Sequence, residues 1–242
     1  YRMLYTEKYE FSGILTASDM YSTNKSFAAE TSFQNTDPLV LNLNFPFKYK
    51  GMALSKPFQG SVAAGYETIN MNADATGSRE VIVNSTILKT DATFVMSDDW
   101  FSQYGLEMRQ DKSLLTTGED DSPSANKLTF STTNTLFQDK KKTTAYIGEL
   151  SYAATNAGGR NQRNTKIDAG LTYMWPWKWD TVATAKLGAY IADYPDHSTG
   201  RKDTDYSLTT GLRKPINEKL SAVVSANYTV NDSTQESSAY KK

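Results

Sequence analysis

From Asp205 to Asp232 the chain alternates with a period of two. Leu220, Ala222, Val224, Ala226, Tyr228 and Val230 fall on one parity, and Ser221, Val223, Ser225, Asn227 and Thr229 fall on the other. One face is therefore apolar and the other mostly small and polar, as in a β-strand. Just upstream, Tyr206, Leu208, Thr210 and Leu212 alternate with Ser207, Thr209, Gly211 and Arg213. The Lys-Pro-Ile-Asn-Glu between them is short, polar and broken by a proline, which suits a tight turn. The pattern predicts a long amphipathic hairpin.

The same rule places strands near residues 9–18, 39–48, Phe58–Met71, Glu80–Met96, Trp100–Asp111, Asn126–Phe137, Thr143–Ala154, Thr165–Trp175 and Thr181–Asp193. With the closing hairpin, eleven strands are visible. Parity is ambiguous only near Val81–Val83. Pro46 is expected to limit pairing and to mark a bulge. Short turns fall at Tyr49–Pro57, Ser97–Asp99, Gln138–Lys141 and Pro176–Asp180. They alternate with longer loops at 19–37, Asn72–Ser78, 113–125, Asn156–Asn164 and Tyr194–Thr204, and the tail 233–242 reads as a loop or the start of a strand. A propeller blade would hold four short strands per period; here each period holds two long ones.

Strand length separates two environments for the apolar face. Soluble sandwiches use strands of about five or six residues, whereas a strand crossing a bilayer needs about nine to eleven. These strands have the longer length, and their polar face is rich in Ser, Thr, Gly and Asn. Mean hydropathy is −0.56, and no apolar run approaches the roughly 18 residues of a spanning helix. A barrel needs no such run, because only alternate residues meet lipid. A soluble β-rich domain is the alternative, but it would have to cover eleven long apolar faces without a layer of helices. Lys plus Arg number 26 and Asp plus Glu 27, a balance that suggests no nucleic-acid partner. The absence of cysteine removes disulfides, thiol catalysis and Cys-based metal sites.

Over about residues 9–231 the chain resembles the Gram-negative outer-membrane β-barrel (porin-like) class. The strongest local mark is Tyr173, Trp175, Trp177 and Trp179 around one short turn, which looks like part of a periplasmic-side aromatic girdle at the membrane interface. The resemblance implies one domain over 1–242, an all-β antiparallel up-and-down transmembrane barrel in the bacterial outer membrane. Short turns would face the periplasm and long loops the outside, against outer-membrane lipid and lipopolysaccharide. Such barrels normally have an even number of strands, and an open edge in lipid is costly. About twelve strands are therefore expected, the twelfth lying outside the chain, supplied elsewhere or hidden in the first 35 residues.

Parity points Glu10, Glu67, Lys89, Asp91, Glu107, Arg109, Glu149, Asp168, Lys186 and Arg213 inward as lumen-lining charges. Mixed signs could pair and fill a narrow lumen or line a small polar channel. The only histidine, His197, sits between Asp196 and Ser198 in a turn-like loop. A catalytic role would need a serine and an orienting partner in geometry, so it reads as surface loop. Glu119-Asp120-Asp121 lacks the spacing of a dedicated calcium loop and reads as solvated. So does the basic group Arg160, Arg163 and Lys166, whose sharper reading is contact with lipopolysaccharide phosphates. No cofactor, metal site or catalytic set is expected. The leading functional expectation is a small channel for ions or small polar solutes. A non-conducting scaffold barrel, binding a protein partner through loops or an open edge, is the second, and an outer-membrane enzyme the third.

Overall fold

The computed structural model describes residues 2–19, 39–72, 79–114, 122, 124–216, 220–234 and 240–241. The strands are β1 (Arg2–Tyr5), β2 (Tyr9–Ser12), β3 (Ile14–Asp19), β4 (Leu39–Ala53), β5 (Lys56–Asn72), β6 (Arg79–Val95) and β7 (Trp100–Ser113). They continue as β8 (Ala125–Phe137), β9 (Ala145–Ala157), β10 (Asn164–Pro176), β11 (Val182–Asp193), β12 (Lys202–Pro215), β13 (Ser221–Ser233) and β14 (Tyr240–Lys241). Among the described residues a single 3-10 turn, Arg160–Gln162, interrupts them, and there is no α-helix.

Every pairing is antiparallel, and each long strand pairs with its neighbours in chain order. β2 and β3 lie end to end along β4 and act as one strand. Counted so, with the two-residue β14 set aside, the chain is an up-and-down sheet of twelve strands. The strand beyond the eleven legible in the sequence is β1, which pairs with β2 through Leu4↔Phe11 and Tyr5↔Glu10. Among the described residues no pairing joins the first strand to the last.

Two local expectations are corrected, and one ambiguity is explained. The first connection is not a turn over Tyr49–Pro57: β4 and β5 pair as far as Ala53↔Lys56, leaving only Leu54 and Ser55, both at positive φ (51° and 60°). Pro46 marks no bulge on its β5 side, where it pairs in register with Ala63. On its other side the strand breaks between β2 and β3, opposite a residue with no N–H to give. The bulge lies on β6 instead. Ile69 faces Val83 and Asn70 faces Val81, so Ile82 is the extra residue, and it is buried. One inserted residue flips parity, which accounts for the ambiguity at Val81–Val83.

Registers fix the two faces, because directly opposed residues point the same way. One row crosses the sheet as Glu10, Lys48, Ser61, Asp91, Gly105, Ser131, Ser151, Asp168, Tyr190, Asp205 and Asn231. The opposite face carries Leu43, Phe45, Leu88, Leu106, Phe130, Leu171, Leu187 and Leu208, all exposed. The exposure pattern is the reverse of a soluble sheet. Along β4 the apolar Leu41, Leu43, Phe45 and Phe47 are exposed, while Asn42, Asn44 and Lys48 are half-buried. The polar face is the sheltered one, and nothing among the described residues covers the apolar one.

Candidate functional site: the polar face

Glu10, Glu67, Lys89, Asp91, Glu107, Arg109, Glu149, Asp168, Lys186 and Arg213 all lie on the polar face, either in the row above or an even number of residues from it on the same strand. They fall into two groups. In the first, Arg109 on β7 reaches across β6. Its Nη2 donates to Glu67 Oε1 at 2.6 Å and to Ser85 Oγ at 2.8 Å, and its Nε donates to Asp111 at 2.7 Å. Asn42 Nδ2 donates to the second oxygen of Glu67 at 3.2 Å, and Ser85 Oγ donates to Asp111 at 2.5 Å. The guanidinium thus ties β5, β6 and β7 together, and the Asn42–Glu67 bond extends the network to β4. Lys48 pairs with Glu10 at 3.5 Å and Lys89 with Asp91 at 3.6 Å. Such looser, part-exposed pairs contribute about 0–1 kcal/mol each. Glu107 and Arg213 form no ion pair among the described residues.

The second group lines a trough of about 630 Å³ running over β8 to β13. Lys186 on β11 bonds Glu149 on β9 across β10. Asp168 accepts from Ser151 Oγ at 3.4 Å, and Asp205 accepts from the Asn231 amide. Gly170 and Gly188 keep the floor clear. A Cβ at Gly188 would stand 2.5 Å from Ser207 Oγ, and one at Gly170 would stand 3.0 Å from both Glu149 Oε2 and Lys186 Cε. Tyr190 is the aromatic residue in its lining, and Lys166 Nζ lies 5.6 Å from the centre of that ring.

The four aromatics around the turn at residues 177–181 lie at the edge of the apolar face. Tyr173 packs on Tyr146 at 4.9 Å and stacks with Trp175 at 5.2 Å, and Trp177 meets Trp175 edge-on at 6.5 Å. Trp179 is 78% exposed at the turn tip. Sequence reading missed a second aromatic run at the same edge. It passes Tyr9, Tyr49, Phe58, Phe94 and Tyr104 with centroids 5.0–6.4 Å apart. Its signal was available: each is an apolar-parity residue within a few positions of a short turn. Also missed were Asn42, Ser85, Asp111, Tyr190 and Asp205, which parity alone assigns to the polar face.

At the opposite edge the loops at 157–164 and 194–201 interlock. Arg163 donates to the Ala157 carbonyl at 2.9 Å and pairs with Asp196 at 3.3 Å, and Ser198 N–H donates to Asn161 Oδ1 at 3.2 Å. Arg163 is thus engaged by an acid, and Lys166 turns to Tyr190 on the polar face. Arg201 forks onto Asp203 and lies over Tyr194 at 4.7 Å. The Asp203 hydrogen bond raises the Arg201 pKa above its ordinary value, and burial raises that of the Tyr194 phenol. His197 Nδ1 faces Thr199, 2.9 Å from its hydroxyl and 3.2 Å from its N–H, while the ring meets Tyr194 edge-on. Glu119, Asp120 and Asp121 lie outside the described residues, as do most of the 19–37 loop and Asn217–Lys219. Among the described residues no group of three or more His, Asp or Glu side chains could hold a metal.

Comparison with known protein families finds no matching family, and comparison with curated proteins finds no similar sequence.

Proposed function

We propose that this chain is the wall of an outer-membrane β-barrel that passes ions or small polar solutes. The observation that carries the reading is the inverted exposure: a sheet of twelve strands with its apolar face bare and its polar face sheltered. Water-soluble monomers rarely expose an apolar surface of this extent, whereas lipid solvates it at no cost.

Three further features support membrane insertion. Ile167 to Trp175 on β10 form an apolar-parity run of nine residues, whose eight steps span about 27 Å at about 3.4 Å per residue. At a strand tilt of about 40° that is about 21 Å of height, close to the ~25 Å apolar band of such barrels. The strands are also staggered. The row that starts at Phe45, in the middle of the apolar run of β4, passes Leu88, Met108 and Leu128 and ends at Thr165, Asp193 and Lys202 on the polar loop edge. A closed barrel needs this drift, because its strands tilt and shear together. Finally, twelve is even, so β1 and β13 run antiparallel and could join as one more hairpin-like pair. The aromatic runs at the short-turn edge would sit at one membrane interface, and lipopolysaccharide would meet the loop edge.

The conduction part rests on where the charges pair. The Arg109 and Lys186 links run along the wall between near neighbours, and beside them the trough stays open. Charges held against the wall leave a wet path with weak selectivity. A second reading, a non-conducting scaffold that binds a protein partner, is favoured by the outer edge of β3, which has no strand partner among the described residues, and by the interlocked loop pair. Conductance of the refolded chain in planar bilayers separates the two. Stable discrete current steps are expected, with selectivity altered by Glu107→Gln and Arg109→Ala. An absence of steps, from protein whose heat-modifiable gel migration proves it folded, would overturn the channel.

A further inference from the structure

We propose that the trough over β8 to β13 is a binding subsite for an uncharged, polyhydroxylated solute of small-oligosaccharide size. The inference deepens the channel reading and rests on it only for how the solute reaches the site. The space, about 630 Å³, falls within the ~300–1,000 Å³ of small-molecule sites. Its chemistry selects among ligand classes. Ser131, Thr133, Ser151, Ser207 and Thr229 present hydroxyls from four strands, and Asn227 adds an amide. Hydroxyls and amides both donate and accept, which matches a ligand whose own groups do the same at every position.

The charged groups narrow the choice. Glu149, Asp168 and Asp205 are acceptors that disfavour phosphates and carboxylates but take hydrogen bonds from hydroxyl groups. Lys186 is already bonded to Glu149, and Lys166 stands over Tyr190, so the trough is no simple cation trap. The described residues also contain no ligand set for a divalent ion. Tyr190 supplies the one aromatic face, beside the floor opened by Gly188. A ring face flanked by carboxylates and hydroxyls fits a sugar, which has apolar C–H faces and a polar rim.

The test is calorimetric titration of the full chain, folded in detergent, with sucrose and with maltose as neutral probes and sodium phosphate as the charged comparison. Saturable binding of at least one sugar is expected with a Kd of order 1–10 mM, and none of phosphate. Tyr190→Ala and Asp168→Asn should each weaken it by about tenfold or more, equivalent to about 1.4 kcal/mol. Thr229→Ala serves as the milder variant, with a smaller loss, should either fail the heat-modifiability check. Leu171→Ala on the apolar face should leave it unchanged. No saturable binding of either sugar, or binding indifferent to the trough variants, overturns the inference. The two proposals fail separately. Sugar binding without bilayer conductance keeps the subsite and overturns the channel, and conductance without sugar binding does the reverse.

Discussion

Replacing Leu187 by arginine tests the membrane reading by the sign and depth dependence of its cost. Leu187 is 62% exposed on the apolar face of β11, midway along the run from Ala183 to Ile191. It lies four residues from either end, about 14 Å along the strand at about 3.4 Å per residue. At a tilt of about 40° this is a depth of about 10 Å from each edge. Arginine near a bilayer midplane costs about 2–4 kcal/mol, falling to about 0–1 near the interface. In water the same change on an exposed strand would fall within about ±0.5 kcal/mol. The assay is guanidinium unfolding from lipid vesicles, followed by tryptophan fluorescence and extrapolated linearly to zero denaturant. Leu187→Arg should lose about 3 kcal/mol, more than a hundredfold in the folding equilibrium, and Ile191→Arg at the band edge no more than about 1. If Leu187→Arg unfolds with the wild type, or if Ile191→Arg costs as much, the apolar face does not meet lipid as argued.

The chain has no cysteine, so single cysteines can map the faces directly. In vesicles, cysteines replacing Leu208 and Tyr228 should resist a water-soluble maleimide while those replacing Ser207 and Thr229 react, an alternation that labelling yields measure. Removing the fork with Arg109→Ala leaves Glu67 and Asp111 without their cation in a part-buried setting. A loss of about 1–3 kcal/mol is expected, and a double-mutant cycle with Glu67→Gln should return a coupling above about 0.5 kcal/mol. The Asp139 carboxylate is held below its ordinary value of 3.8 by the Thr143 hydroxyl and then the Thr144 amide. Its contribution is therefore present above that value and lost as pH falls through the lower folded value, and Asp139→Asn should flatten the acid limb of the unfolding midpoint below about pH 4. Ser55→Gly should stabilise the fold by about 0.5–1 kcal/mol, because Ser55 sits at φ 60° in a two-residue hairpin where glycine is at ease; equilibrium unfolding reads the gain.

Most of the sheet was legible because a strand's side chains must alternate, so Glu149 and Leu150 could be sent to opposite faces without coordinates. What stayed hidden has three physical causes. Ile82 inserts one residue into β6 and reverses the parity there, an event that apolar neighbours such as Val81 and Val83 conceal. Leu54-Ser55 turns the chain without the Asn-Gly signature that usually announces such a hairpin, so the turn was drawn too wide and both flanking strands too short. The Arg109 and Lys186 links skip a strand. Parity says that these charges share a face, but the partner two strands away is set by stagger and curvature, which belong to the sheet and not to any one segment.

The same distinction separates face from function. Alternation alone is compatible with either face being wet, since a period of two carries no sign. The sign comes from exposure: Leu41, Leu43, Phe45 and Phe47 are bare along β4 while Asn42, Asn44 and Lys48 between them are shielded. A sheet that shelters its charges has to satisfy them locally, which is what the fork on Glu67, Ser85 and Asp111 does for Arg109. Between β8 and β13 the same demand is met less completely, with Asp168 held by one 3.4 Å hydroxyl contact beside open volume. The polar face is thus well satisfied over β4 to β7 and keeps spare acceptors over β8 to β13, which is why the proposed subsite lies in the second half of the chain. On the proposed reading, variants at Asp168 and Tyr190 should alter solute binding without a comparable loss of stability, whereas Arg109→Ala should both shift selectivity and weaken the sheet.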